Sequence, residues 1–156
     1  METTLVFLKP DAVRRGLVGE VIGRFERKGF LILGLKMMEL DEDFVRRHYA
    51  AHEGKEFYEP LVRFVTSSPV VACVLEGVGA VELTRSLLGA TFGPEAAPGT
   101  IRGDFGASRR YNLAHGSDSL ESARREIDLL FRPEELMEYE LAASQWVFAK
   151  HLDKLI

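Results

Sequence analysis

A single cysteine among 156 residues excludes an internal disulfide framework. Cys73 lies inside Val70-Val71-Ala72-Cys73-Val74-Leu75, where a thiol reads as a small buried hydrophobe. Long apolar runs are also missing, since Leu31 to Leu35 and Val70 to Leu75 fall well short of the roughly 20 residues a membrane-spanning helix needs. Met1-Glu2 leads into a strand-like run without the basic segment, apolar core and cleavage site of a secretory signal. These absences predict a protein of the cytoplasm, off the membrane. Basic charge is not in excess either: 24 acidic against 20 basic side chains give a net charge of −4. That argues against a general binder of nucleic acid or anionic lipid and leaves room for a local basic pocket. What is abundant is apolar content, 46% of residues, enough for one folded unit over 1–156 with no repeat or linker.

Thr3 to Lys9 is a β-branched apolar run ended by Pro10-Asp11, which predicts a strand and a turn. Leu17, Val18, Val21, Ile22 and Phe25 then recur at helical spacing, and Gly29 after Arg27-Lys28 is a helix stop. Phe30 to Met38 is predicted as a second strand. Asp41 caps a short helix holding Phe44, Val45 and His48, and Tyr58 to Val65 is a further helical stretch. After Ser67-Ser68-Pro69, Val70 to Glu76 is apolar enough for a central strand, and Val81 to Leu88 returns to helix. Gly89 to Tyr111 shows no sustained period and carries Gly93, Pro94, Pro98, Gly99, Gly103 and Gly106, so a long ordered loop is expected. A short strand near Leu113-Ala114 precedes a helix capped at Asp118-Ser119, carrying Leu120, Ala123, Ile127 and Leu130, and ended by Arg132-Pro133. Leu136 to Ile156, with Trp146, is expected to be a docked helix and tail. The order strand, helix, strand, strand, helix, strand predicts an α+β fold of the ferredoxin-like split βαβ kind, a four-stranded antiparallel sheet covered by helices.

Generic nucleotide motifs fail. Gly54-Lys55 is no phosphate loop, because Tyr49 stands where the first glycine is required and Glu56 follows the lysine. In Gly77-Val78-Gly79-Ala80-Val81-Glu82, Glu82 occupies the third glycine position of a dinucleotide fingerprint. His48 and His52 are spaced to share a helix face as zinc ligands do, yet with no third ligand apparent nearby they read as a partly exposed helix end. Asn112-Leu113-Ala114-His115-Gly116-Ser117-Asp118 is more informative, because it sets a histidine at a strand end beside a glycine and a polar helix start. Imidazole titrates near about 6.5, so at neutral pH much of it can attack phosphorus without a separate base. From these seven residues alone, a nucleophile and a structural histidine satisfied by the following cap both stay open.

Lys9-Pro10-Asp11, Pro98-Gly99-Thr100-Ile101-Arg102-Gly103-Asp104-Phe105 and Asn112 to Ser119 together resemble the nucleoside diphosphate kinase family, in the family's order and spacing. The resemblance runs from Thr3 to about Trp146. It implies a ping-pong reaction in which His115 takes the γ-phosphate of a nucleoside triphosphate and gives it to a nucleoside diphosphate, ribo or 2′-deoxy, with Mg2+ arriving on the phosphates. By the same resemblance Glu126 bonds the imidazole nitrogen not used for attack and Ser117 supports that pair. Arg102 and Arg85 face the phosphates, where permanent planar cations suit phosphate oxygens, and Thr91 and Tyr49 join them. Lys9, placed among the catalytic residues, supplies a compact charge or bonds a sugar hydroxyl, with Asn112 its partner at the sugar. Phe57 stacks on the base, whatever its identity, because every base has a π-face, and Leu61 lines the same end. A homo-oligomer is implied, hexamer before tetramer, with no need of nucleic acid or membrane.

Two departures stand out. Tyr111 replaces the family's arginine before the asparagine, where Arg110 could supply the charge, and Phe92-Gly93-Pro94 replaces an Asn-Pro arrangement. Two rivals belong to other classes. A non-catalytic ferredoxin-like nucleotide-sensing module is disfavoured by the intact His115 and Lys9, and a DNA-binding regulator by the acidic balance.

Overall fold

The computed structural model describes residues 1–151 and 154–155. In chain order its strands and helices are β1 (Glu2–Leu8), α1 (Pro10–Arg14), α2 (Val18–Lys28), β2 (Leu31–Met38), α3 (Glu42–His48), α4 (Tyr58–Val65), β3 (Val70–Gly77), α5 (Ala80–Leu88), α6 (Ile101–Phe105), β4 (Ala114–Gly116), α7 (Leu120–Leu130), α8 (Ser144–Val147), β5 (Lys150–His151) and β6 (Lys154–Leu155). The main sheet has the order β2-β3-β1-β4 with every pair antiparallel, which is the expected ferredoxin-like arrangement.

Pleating sends alternate residues of β1 to opposite faces. Val6 and Leu8 join Cys73 and Leu75 of β3 under Val21, Ile22 and Phe25 of α2 and Leu88 of α5. Leu5 and Phe7 join Ala72 and Val74 under Val45 of α3, Val62 and Val65 of α4 and Ile127 and Leu130 of α7. Each of the Val, Leu, Ile and Phe side chains contributes about 1.5–3 kcal/mol by burial, so the central strands, packed on both faces, are the rigid base from which the site is built. Register then places the chemistry. β4 sets His115 opposite Phe7 and Ala114 opposite Leu8, so His115 shares the face covered by α3, α4 and α7. A slip of one residue would exchange the two.

Some elements differ from the sequence reading. Lys9 lies beyond β1 as the N-cap of α1, and Pro10 opens a helical turn there, where its missing N–H and fixed φ suit the first position. The segment from Gly89 to Tyr111 is not loop throughout, since it holds a 3₁₀ turn at Gly93–Glu95 and the helix α6. Thr100 caps α6 by accepting from Gly103 N at 3.1 Å. Five residues around a glycine are too short for a period to register. The glycines here permit contact rather than flexibility: a Cβ on Gly93 would overlap the Gly106 carbonyl and one on Gly103 the Ala97 carbonyl.

The C-terminal segment departs most from a docked helix. It runs beside β2, where Met137 N donates to Leu33 O at 2.7 Å and Ile32 N donates to the Tyr139 hydroxyl at 3.1 Å. α8 is a single turn, and Trp146 is 85% exposed. Trp146, Val147 and Phe148 are consecutive and cannot share one helix face. Leu152, Asp153 and Ile156, part of the expected tail, lie outside the described residues.

Candidate active site

The His115 ring stacks on Phe7, its cross-strand neighbour, with centroids 5.0 Å apart. Glu126 Oε2 accepts from His115 Nε2 at 2.9 Å and from the Ser117 hydroxyl at 2.6 Å. A carboxylate can only accept, so the ring proton belongs on Nε2 and Nδ1 keeps its lone pair. Glu126 reaches this position because it falls on the buried stripe of α7 with Ala123, Ile127 and Leu130, although Glu121, Arg124 and Arg125 surround it in sequence. Burial works to raise its carboxyl pKa. The hydrogen bond and charge of His115, with the Ser117 hydroxyl, outweigh burial and hold it below the usual range. Ser117 is itself buried beneath the site.

The chain enters β4 through a strained turn. Leu113 has φ of 70° and Ala114 N donates to Asn112 O at 2.8 Å, a γ-turn geometry that costs about 1–3 kcal/mol in a residue other than glycine. Neighbours hold it there. Lys9 N donates to Leu113 O at 2.8 Å, and Leu113 N donates to Asp11 Oδ2 at 3.0 Å. Arg102 donates to the carbonyls of Asn112, Gly89 and Ala114 at 3.1, 2.9 and 2.7 Å. Asp11, part of a sequence motif but given no role there, is thus a scaffold residue. Arg102 is a clamp as well as a cation.

A cleft of about 510 Å³ opens above His115, and Lys9, Tyr49, Phe57, Leu61, Thr91, Arg102 and Asn112 line it. Lys9 Nζ donates to Asn112 Oδ1 at 2.9 Å and Asn112 Nδ2 donates to Thr91 O at 2.9 Å. Burial, aided by the charge of Arg102 and partly opposed by Asp11, lowers the Lys9 pKa to about 8. Burial and the charge of Arg85 lower that of Arg102 to about 10. The Tyr49 hydroxyl is buried with no hydrogen-bond partner among the described residues, and burial raises its pKa, with Glu126 adding to the effect. Phe57 is 47% exposed, a platform at the mouth rather than a core ring.

Two placements add to the sequence reading. Arg85 is exposed on α5, lines a depression with Glu82 and Asp118, and adds positive charge near Arg102. His48 is the half-buried end of α3, as the sequence suggests, but it does not lack ligating neighbours, because His115 and Glu126 lie beside it. Four residues after Phe44 on α3, it packs inward against Phe7 and His115, ring centroids 5.4 and 4.9 Å away. Burial first, then the charge of His115, lowers its pKa to about 4. The i,i+4 spacing with Phe44 was the available signal. At the outer rim, sequence reasoning named Phe92, Arg110 and Tyr111 but missed Arg109 and the packing that joins them. Phe92 lies under the Arg109 guanidinium at 4.6 Å, Arg109 pairs with Glu95, and Tyr111 packs on Phe64 at 4.9 Å. Arg110 lines the cleft as well.

A nucleoside diphosphate kinase family model matches residues 2–136. The chain belongs to the nucleoside diphosphate kinase family. It is similar to the nucleoside diphosphate kinase of Pelotomaculum thermopropionicum, 54% identical over 95% of this chain and 99% of that one. The enzyme of Thermus thermophilus is 58% identical over 88% of this chain and the whole of that one. Among solved structures, a halophilic nucleoside diphosphate kinase from Halobacterium salinarum in complex with CDP superposes with a TM-score of 0.92 at 47% identity, covering 95% of this chain and 99% of that one. As a nucleoside diphosphate kinase it moves the terminal phosphate of a nucleoside triphosphate to a nucleoside diphosphate. The matching fold and the cationic cleft around His115 are consistent with that activity.

Proposed function

We propose that His115 Nδ1 carries the phosphate between the two nucleotides. The carrying observation is the 2.9 Å bond from Nε2 to Glu126, which directs the ring's lone pair to the other nitrogen. In this reading the base rests on Phe57 beside Leu61, the 3′-hydroxyl meets Lys9 and Asn112, and the phosphates meet Tyr49, Thr91 and Arg102. The CDP bound by the Halobacterium relative supports a cleft that accepts diphosphates. Nδ1 forms a bond to the γ-phosphorus as the bond from that phosphorus to the β,γ-bridging oxygen breaks, and the diphosphate leaves as an anion. Positive charge growing on the imidazole is met by ionised Glu126. The Tyr49 hydroxyl, which costs about 1–3 kcal/mol while unpaired, gains a phosphate oxygen. A second diphosphate reverses the step, giving a ping-pong cycle.

No carboxylate lines the cleft among the described residues, which suits a Mg2+ that enters on phosphate oxygens and offsets their charge. The chain, 1–156, would act as one unit in the cytoplasm and as a homo-oligomer, hexamer before tetramer. Support for assembly comes from β2, an edge strand that leaves Leu35 50% and Met37 60% exposed. Labelled ATP with magnesium and no acceptor should leave acid-labile, base-stable phosphate on the wild type and none on His115→Ala. Label on His115→Ala that passes to GDP would overturn the assignment, and an unlabelled wild type would favour a sensing module.

A further inference from the structure

His48 has no part in the phosphotransfer reading, yet it lies against the nucleophile. The His48 and His115 rings are nearly perpendicular, at 79°, and both pack on Phe7. Ligand atoms of His48, His115 and Glu126 all lie within 4.8 Å of one another. Three separate elements, α3, β4 and α7, bring them together. Two imidazoles and a carboxylate are the donor set of a three-ligand zinc site with an open fourth position, and nitrogen donors favour zinc over magnesium. His52, the sequence partner of His48, faces Lys55 instead, its Nδ1 3.0 Å from the ammonium.

We propose that His48, His115 and Glu126 form a Zn2+ site that, when filled, silences the nucleophile. In the resting arrangement the ring proton sits on Nε2 and Glu126 Oε2 accepts it. Zinc takes the Nε2 lone pair, a carboxylate oxygen and one nitrogen of His48, so the proton of the neutral ring moves to Nδ1. No proton is lost and no oxidation state changes. Nδ1 then has no lone pair to offer phosphorus. Bond lengths of about 2.0–2.2 Å draw the donors closer than they now lie, a movement open to His48 as the last, half-buried residue of α3. The silencing rests on His115 as phosphate acceptor, whereas the metal binding does not.

Zinc chloride titrated into nucleotide-free protein, followed by calorimetry and by histidine nitrogen-15 NMR, tests this. The expected result is one zinc per chain, with the His115 proton moving from Nε2 to Nδ1. His48→Phe and Glu126→Gln should each weaken binding at least about tenfold, and His52→Ala should leave it unchanged. Circular dichroism checks that each variant folds, and if His48→Phe does not, Glu126→Gln decides. Buffered zinc should block phosphorylation of wild type from Mg·ATP but not of His48→Phe, each measured against its own zinc-free rate. Zinc binding undiminished in the folded variants, or absent below millimolar zinc in wild type, overturns the site. Zinc bound with the expected variant pattern but no fall in labelling overturns the silencing alone, and no labelling without zinc counts against the phosphohistidine reading instead.

Discussion

In the proposed reading Glu126 governs His115 by fixing which nitrogen is free, and that matters mainly as the phosphorus bond forms. Glu126→Ala should therefore lower turnover more than nucleotide affinity. Unchanged single-turnover phosphorylation with weakened equilibrium binding would remove it from that role. Lys9 and Asn112, bonded to each other at 2.9 Å across 103 residues of sequence, lead to a sugar prediction. A nucleotide without the 3′-hydroxyl forgoes the further hydrogen bonds these groups would make to it, at about 1–3 kcal/mol or roughly tenfold to hundredfold in rate, while loss of the 2′-hydroxyl should matter less. Equal phosphorylation of His115 by ribo-, 2′-deoxy- and 2′,3′-dideoxynucleoside triphosphates would refute it. Lys9 also carries a pH signature, because its pKa is about 8 in the folded protein against an ordinary 10.5. Activity should fall as pH rises through about 8 and the cation is lost. Stability should move the other way: above that pH the unfolded chain binds more protons than the folded one, and stability rises with pH. Cys73, pushed up to about 12 from 9.0 by burial, opposes this above pH 9. The two trends should therefore separate between about pH 8 and 9, and parallel loss of activity and stability there would contradict the assignment.

At the scale of elements, the site depends on a clamp between α6 and the turn into β4. Arg102 spends donors on three carbonyls, which a single ammonium on a flexible stem cannot reproduce. Arg102→Lys should lower stability to denaturant by about 1–3 kcal/mol through unpaired buried groups, whereas Thr91→Ala, which keeps its backbone carbonyl for Asn112, should not. If both variants unfold at the wild-type midpoint, the clamp is not structural. These elements differed in legibility. α2 with Gly29 in the left-handed conformation at φ 99°, and the cap of Asp41 on Phe44 N at 2.7 Å, follow from residues a few positions apart. α6 did not, because its short length and central glycine hide any period.

The whole molecule adds what no element carries alone. Its exposed apolar residues on β2 are expected to be covered by another copy, so Leu35→Glu with Met37→Glu should reduce the assembly's mass in light scattering while leaving the circular dichroism spectrum unchanged. An unchanged mass would place the interface elsewhere.

Local spacing was enough to determine the central strands, the amphipathic helices with their caps, and the motifs around Lys9, Arg102 and His115, because each depends on residues close in sequence. The contact of Glu126 with His115 was reachable only through family likeness, since the surrounding α7 residues read as a charged surface. Tertiary structure alone decided the register that puts His115 opposite Phe7, the inward turn of His48, the Arg102 clamp and the approach of the Arg85 charge to Arg102. The reason is physical. These relations join residues on separate elements through packing and hydrogen bonds, and the distance between them along the chain leaves no period or spacing from which they could be read.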